Sequence, residues 1–258
     1  MFVDHYRVSP RESLPAYFDV RFGSYPYREN LRLLRLEEKG IRIARLVDLL
    51  MIHHSNSAVH TFEVSHLISL LDPSFNQVVR GLIHDIGKTG IDPKLLDKRE
   101  ELTKEEKKQM SLHGPLGGAI LRRVGLGDLA FAAEEHHIGN SQSRIWTERE
   151  LSKRHPAIEV LSLADLICAA LDPRRNYRVP VSREVLIENI KRKTDIGVFS
   201  RELYQRFLDV IVTKNLFPPF KLADYQDKLF IETLERLGIY SSFESLITDD
   251  EKSYSIII

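Results

Sequence analysis

The sequence predicts an all-α protein, and three observations lead to this prediction. Apolar residues recur at helical spacing from about residue 31 onward. Residues that start or stop helices separate the apolar segments. Neither an internal repeat nor a series of segments with the alternating polar and apolar residues of strands is visible. We therefore expect a helical bundle with a short extension at each end.

The first helices have recognisable boundaries. One begins at about residue 31, and the second covers 56–71. The second helix stops before Asp72-Pro73, because the residue before a proline avoids the helical conformation. Ser74 is a suitable N-cap for a third helix, which ends at 83–85.

The later helices are predicted from the same signals. Thr103 to Glu106 form a capping box that opens a helix reaching Met110. Gly125 closes the next helix, 115–124. Pro218-Pro219 breaks the chain before a last helix. The other segments with helical periodicity, including that last one, are 128–136, 156–171, 183–193, 201–212 and 222–237.

We divide the chain into three parts from these patterns. Residues 1–30 combine tyrosines with prolines and form a loop-rich extension. Residues 31–215 are the helical domain. Residues 216–258 are a C-terminal helical extension that ends in a tail.

The composition limits the class of protein. The chain has 258 residues, with 37 Lys and Arg and 37 Asp and Glu, so its formal net charge is zero. This balance argues against general binding to polymeric nucleic acid or to a membrane surface. Cys168 is the single cysteine, which excludes an internal disulfide. Without an apolar run of roughly 20 residues or a signal peptide, we expect a soluble, cytoplasmic protein.

Seven His and Asp side chains are the candidate functional groups. The adjacent pair His84-Asp85 is the most informative, since the imidazole can bind one metal while the carboxylate spans to a second. Two divalent ions about 3.5–4 Å apart can share a hydroxide and clamp a phosphate ester. The full set is His60, His84, Asp85, His113, His136, His137 and Asp165.

The other histidines are interpreted differently. A single His is usually a packed or surface residue rather than a ligand. We place five in that class: His5, His53, His54, His66 and His155.

Several segments resemble the HD-domain phosphohydrolases, and in particular their HD-GYP subfamily. The stretch from His60 to Val64 is similar to an HSxRV segment, and His84 to Lys88 matches the HDIGK signature. The segments 102–106 and 113–121 resemble LTPEE and HPxxGAxIL. The doublet at 136–137 and the Asp at 165 complete the order, so the resemblance covers about 50–180.

The resemblance implies an HD-type helical bundle and a centre of two divalent ions. All seven residues would be ligands, with Asp85 as the bridge. One ion would be held by His60, His84 and Asp165, and the other by His113, His136 and His137. Iron is the first candidate metal, and manganese is the alternative.

Two departures from the subfamily pattern stand out. The segment 138–146, which follows the His-His doublet, lacks the Gly-Tyr-Pro triplet. That triplet is linked to cyclic di-GMP activity and partner contacts in the subfamily. Asn56 stands where some members have a Glu that supports a third metal, so we expect two ions.

Cationic residues near the ligands are candidates for substrate binding. Lys88 lies between two glycines, which let a backbone approach a ligand closely. A lysine beside two metal ions is most useful when an anion binds there. The guanidinium groups of Arg174, Arg175 and Arg178 suit phosphate recognition, although arginines in a loop are often simply solvated.

The leading hypothesis is a metal-dependent phosphodiesterase that hydrolyses a cyclic dinucleotide, with cyclic di-GMP as the first candidate. Asp85 and Lys88 are the predicted catalytic residues, and Lys88 would neutralise developing charge. One alternative is another nucleotide phosphohydrolase, and a second is a di-iron oxygenase. A third is a non-catalytic dinucleotide-binding module. A homo-oligomer or a signalling partner is compatible with each hypothesis.

Overall fold

A computed structural model describes residues 38–137, 157–174, 180–220, 225, 227–244 and 246. Within these residues every regular element is helical and no strand is present, so the all-α prediction is confirmed. None of the described helices is long and apolar enough to cross a lipid bilayer.

The first part of the fold contains six α-helices and a short 3-10 helix among the described residues. In chain order they are α1 (Lys39–His53), α2 (Ser55–Leu71), α3 (Phe75–Ile83), the 3-10 helix (Ile86–Gly90), α4 (Pro93–Leu96), α5 (Lys104–Ser111) and α6 (His113–Arg123).

The second part continues with further helices of all three types. They are a 3-10 helix (Gly127–Leu129), α7 (Ala130–Glu135), α8 (Ile158–Leu171), α9 (Arg183–Asp195), α10 (Arg201–Arg206), a π-helix (Phe207–Val212) and α11 (Lys228–Leu237).

Side-chain caps set several helix starts where the sequence predicts them. The Ser74 hydroxyl accepts a hydrogen bond from the Gln77 backbone N–H at 3.3 Å. Thr103 and Glu106 cap each other's backbone N–H groups at 3.3 and 2.7 Å, so the predicted capping box is confirmed. Each cap stabilises its helix by about 1 kcal/mol.

Two predicted boundaries near the candidate ligands are wrong. Helix α6 begins at His113 rather than at Pro115. The first turn of a helix does not need its N–H groups as donors, so the proline is tolerated there. The predicted helix 128–136 is split into a 3-10 turn and α7, and α7 ends at Glu135. His136 is therefore the C-cap rather than a helical residue.

Two later boundaries also differ from the prediction. The predicted helix 201–212 changes to π-helix at Phe207, and the Thr213 N–H donates to the Leu208 carbonyl five residues earlier at 2.9 Å. The predicted helix 222–237 begins at Lys228, because the Asp227 carboxylate caps it. Residues 31–37 and Pro156, at two other predicted helix starts, lie outside the described residues.

Helix α2 lies at the centre of the core. It contacts α1, α3, α8, α11 and the π-helix, and 13 of its 17 residues are buried. Since a buried helix has no solvated face, its polar side chains must find partners inside the protein. His60 and Glu63 are two such side chains on α2.

The chain after Pro218-Pro219 packs on the same core. The Phe243 ring lies 5.2 Å from the Phe62 ring, and the Tyr225 ring stacks on His66 with centroids 4.6 Å apart. The described C-terminal residues are thus continuous with the helices around α2. The three-part division of the chain stays a prediction.

Candidate metal centre

The structure brings the seven candidate His and Asp residues together in the helical core. Six of them are buried, and the His137 side chain is 34% exposed. They come from five places: His60 from α2, His84 and Asp85 from the end of α3, His113 from the start of α6, His136 and His137 from the end of α7, and Asp165 from α8.

The side chains form two separate groups that could each hold a metal ion, and a third group, His84, Asp85 and His136, overlaps with both. In each group the three ligating atoms lie within 4.8 Å of one another. The first group is His60, His84 and Asp165, and the second is His113, His136 and His137.

Asp85 lies between the two groups. Its Oδ2 atom is 3.4 Å from His84 Nε2 and 3.9 Å from His60 Nε2. Its Oδ1 atom is 3.5 Å from His113 Nε2 and 3.8 Å from His136 Nε2. The two oxygens of one carboxylate thus face different histidine groups, as a bridging ligand requires.

Three of the imidazole rings are oriented by backbone carbonyls. The Nδ1 atoms of His84, His113 and His136 lie 2.7, 2.6 and 2.8 Å from the carbonyl oxygen three residues earlier. Because a carbonyl only accepts, each Nδ1 carries the proton and each Nε2 presents a lone pair. Metal-binding histidines are commonly held in this way.

The Nε2 atoms of several of these histidines lie close to one another, as they would around a shared metal ion. His113 Nε2 is 3.2 Å from His136 Nε2 and 2.9 Å from His137 Nε2. His84 Nε2 is buried without a hydrogen-bond partner among the described residues. Ligands of one ion at about 2.1 Å lie about 3 Å apart when they are adjacent in an octahedron. The imidazole and carboxylate donors therefore fit divalent transition-metal ions.

The electrostatics favour the ligating form of these groups. Burial lowers the pKa of His113, His136 and His137 to about 3 each, so the rings are neutral near pH 7. Burial alone would raise the pKa of Asp85, but the positive charge of Lys88 holds it well below its usual range. Deprotonated carboxylates and neutral imidazoles are the species that bind metals.

Close helix packing depends on two glycines. A Cβ atom on Gly87 would lie 1.7 Å from the His113 carbonyl oxygen. A Cβ atom on Gly117 would lie 2.7 Å from the Ala133 Cβ. Larger side chains would push α6 away from the turn after Asp85 and away from α7. The glycines thus bring the ligands on three elements within reach of one another.

A comparison with known families agrees with this geometry. The HD domain family model matches residues 58–172. The matched segment contains all seven candidate ligands and supports placement in the HD-domain superfamily. HD domains are generally metal-dependent phosphohydrolases that bind divalent metals. No curated protein matches the chain significantly.

Lys88 is a cationic group in direct contact with Asp85. Its Nζ donates a hydrogen bond to Asp85 Oδ2, the oxygen that faces His84 and His60. The Lys88 side chain is 13% exposed, whereas that of Asp85 is 3% exposed. Lys88 is therefore more exposed than Asp85 but less exposed than His137, whose side chain is 34% exposed.

Arg174 has carboxylate partners inside the protein. Its Nη2 donates to Glu63 at 2.6 Å, and its Nε donates to Asp172 at 2.8 Å. Arg175 and Arg178 lie outside the described residues, as does the segment 138–146.

Glu63 and Asp172 are residues that the sequence reasoning missed. Together with His60 they form a further group of possible ligating atoms within 4.8 Å of one another. A signal was present, since Glu63 interrupts the apolar part of α2 three residues after His60. A glutamate in the middle of a buried helix requires a partner.

The histidines assigned to packing or surface roles have contacts of that kind where they are described. His53 Nε2 donates to the Ile91 carbonyl at 2.9 Å. His54 accepts from the Ser57 backbone N–H at 3.1 Å and caps α2. His66 packs among aromatic rings. His5 and His155 lie outside the described residues.

Proposed function

We propose that this HD-domain protein is a two-metal phosphodiesterase that hydrolyses a cyclic dinucleotide, with cyclic di-GMP as the first candidate. The observation that carries the proposal is the position of Asp85, whose two oxygens face two separate groups of ligands. Iron is the first candidate for both ions, and manganese is the alternative.

Each proposed role follows from charge and position. Two divalent ions, when bound, supply Lewis-acid activation of the phosphate and of the attacking water. Asp85 would bridge them, with His60, His84 and Asp165 on one side. The buried side chains exclude bulk water, which strengthens electrostatic interactions in the site.

Lys88 is the residue that we propose binds the phosphate group of the substrate. Its ammonium group can leave Asp85 to contact a phosphate oxygen, and it would stabilise the negative charge that develops during hydrolysis. Arg174 already pairs with two carboxylates. The phosphate contact predicted for Arg174 from the sequence would require it to give up one of these partners. Arg175 and Arg178 stay candidates for phosphate binding on sequence grounds alone.

The choice of substrate rests on resemblance. The HDIGK stretch and the segments 102–106 and 113–121 are similar to those of HD-GYP proteins, which act on cyclic di-GMP. The missing Gly-Tyr-Pro triplet at 138–146 favours a second candidate, another nucleotide phosphohydrolase with the same metal centre. The complete set of ligands argues against a module that only binds.

The test is a hydrolysis assay across substrate classes. Full-length protein is loaded with Fe²⁺ under anaerobic conditions or with Mn²⁺, then incubated with cyclic dinucleotides, nucleotides and simple phosphomonoesters. We expect turnover of a cyclic dinucleotide by the parent and none by Asp85→Ala. Turnover confined to nucleotides would select the second candidate. Binding of a dinucleotide together with no turnover of any substrate under either metal would contradict both enzyme proposals.

A further inference from the structure

A set of buried charges lies beside the candidate metal centre. Glu63 follows His60 by three residues on α2, so the two side chains share a face of the helix. Glu63 is 2% exposed, and Asp172, just after α8, is 6% exposed. Since ligating atoms of all three lie within 4.8 Å of one another, two buried carboxylates flank one candidate metal ligand.

Arg174 balances these carboxylates. Its side chain donates to Glu63 Oε2 at 2.6 Å and to Asp172 Oδ1 at 2.8 Å, and its backbone N–H donates to the same Asp172 oxygen at 2.9 Å. Burial alone would lower the pKa of Arg174, but the two carboxylates raise it above its ordinary value. Buried charges of this kind are stable only as a paired unit.

The guanidinium of Arg174 supplies the positive charge that a third metal ion could otherwise supply to this group. His60, Glu63 and Asp172 offer suitable donor atoms for a cation, yet Arg174 already binds both carboxylates through charge-assisted hydrogen bonds. Arg174 therefore already supplies the positive charge that these two carboxylates need.

His60 is supported differently from the other buried histidines of the centre. His84, His113 and His136 use backbone carbonyls to orient their rings. His60 Nε2 instead lies 2.9 Å from Asp165 Oδ1, and a ring nitrogen is close to Glu63 and Asp172. Negative charge within about 5 Å of a ligating histidine in a buried, weakly screened site favours a cation at that histidine.

We propose that Glu63, Asp172 and Arg174 are positioning residues that set the affinity of the ion held by the His60 group. This inference rests on the proposed metal centre but not on the identity of the substrate. It assigns Arg174 to metal affinity rather than to phosphate binding. It also gives a physical reason for a buried glutamate on the central helix.

The test measures metal binding without substrate. Glu63→Gln removes one charge at constant shape and leaves Arg174 paired with Asp172, so the chain should fold. Titration of metal-stripped, full-length protein with Mn²⁺ should show the affinity of one site falling about 10–100-fold, with the other site unchanged. The weakened site should be the one that His60→Asn loses, and Glu63→Asp should restore part of the affinity.

A matched control and three outcomes decide the matter. Glu202→Gln removes a carboxylate that pairs with Arg206 at 2.9 Å on an exposed surface, and it should leave both affinities unchanged. An unchanged Mn²⁺ affinity in Glu63→Gln, or an equal loss at both sites, would overturn the proposal. The proposal would also be overturned if Arg174→Lys raised KM for the substrate while both Mn²⁺ affinities stayed unchanged.

Two further measurements keep the result interpretable. If Glu63→Gln does not fold, Asp172→Asn is titrated in the same way and judged by the same outcomes. Selective loss of one Mn²⁺ site in a protein that hydrolyses none of the substrates tested would support the positioning role while contradicting the proposed function. The two ideas can therefore fail separately.

Discussion

His113 Nε2 lies 3.2 Å from His136 Nε2, and neither atom carries a proton, because each ring donates through Nδ1 to a backbone carbonyl. Two lone pairs at this distance repel each other unless a cation lies between them. The backbone of two separate helices thus enforces a contact that is favourable only in the presence of positive charge.

The first prediction concerns metal stoichiometry. His136→Ala removes one of the two facing nitrogens, so we expect the metal content to fall from two divalent ions per chain to one. Elemental analysis of protein saturated with Mn²⁺ and then desalted measures this directly. His54→Asn is the control, because asparagine preserves the cap of α2 outside the centre. Retention of both ions in His136→Ala would contradict the assignment of this histidine.

The second prediction separates catalysis from metal binding. Lys88→Met keeps the length of the side chain and removes its charge. We expect both ions to be retained while kcat falls about 10²–10³-fold, as is typical when a group that stabilises developing charge is lost. The comparison is made with the substrate that the parent turns over.

Lys98→Met is the matched control for Lys88→Met. Lys98 also pairs with a carboxylate, Glu106, at 2.7 Å, but away from the ligands. Its substitution should leave kcat unchanged. Equal activity of Lys88→Met and the parent would exclude a catalytic role for Lys88.

The third prediction tests the close approach of α6 to the turn after Asp85. In Gly87→Ala, the new Cβ would meet the His113 carbonyl at 1.7 Å, so α6 must move. We expect a loss of about 1–3 kcal/mol in the free energy of unfolding together with weaker metal binding. Chemical denaturation and Mn²⁺ titration measure the two effects.

Gly40→Ala is the control for that substitution. Gly40 lies in the first turn of α1, and the nearest atom to its new Cβ is 3.8 Å away. Alanine should stabilise the helix there by up to about 1 kcal/mol. If Gly87→Ala were equally benign, the close contact would not be needed to assemble the centre.

The fourth prediction is a pH dependence of the metal-free protein. His113, His136 and His137 have folded-state pKa values of about 3, below the value of about 6.5 in an unfolded chain. The unfolded state therefore binds more protons below pH 6.5, and the free energy of unfolding should decrease as pH falls from about 6.5 toward 3. Asp85 and Asp165, whose pKa values are also lowered, add to this loss only at the acidic end.

Thermal unfolding followed by circular dichroism between pH 7.5 and 4.5 measures this dependence. Saturation with Mn²⁺ should move the loss of stability to lower pH, because metal and protons compete for the same nitrogens. A Tm of the metal-free protein that does not change over this range would contradict the low pKa values.

Local signals in the sequence were sufficient for much of the helical framework. Ser74 and the Thr103–Glu106 capping box start helices as predicted, because a cap is a contact between residues three apart. The start of α6 at His113 was predicted too late, since proline in a first turn is as compatible with a continuing helix as with a boundary. The shift to π-helix at Phe207 has no comparable local signal.

The sequence by itself determined the seven candidate ligands, because the ability to bind a metal is a property of the His and Asp side chains. Their division into two groups came from the family resemblance. Only the tertiary structure decided that the two oxygens of Asp85 face different groups. It alone paired Arg174 with Glu63, which is 111 residues away in the chain. A contact between residues so far apart depends on how α2 and α8 pack against each other. The spacing of residues within one segment carries no information about that packing.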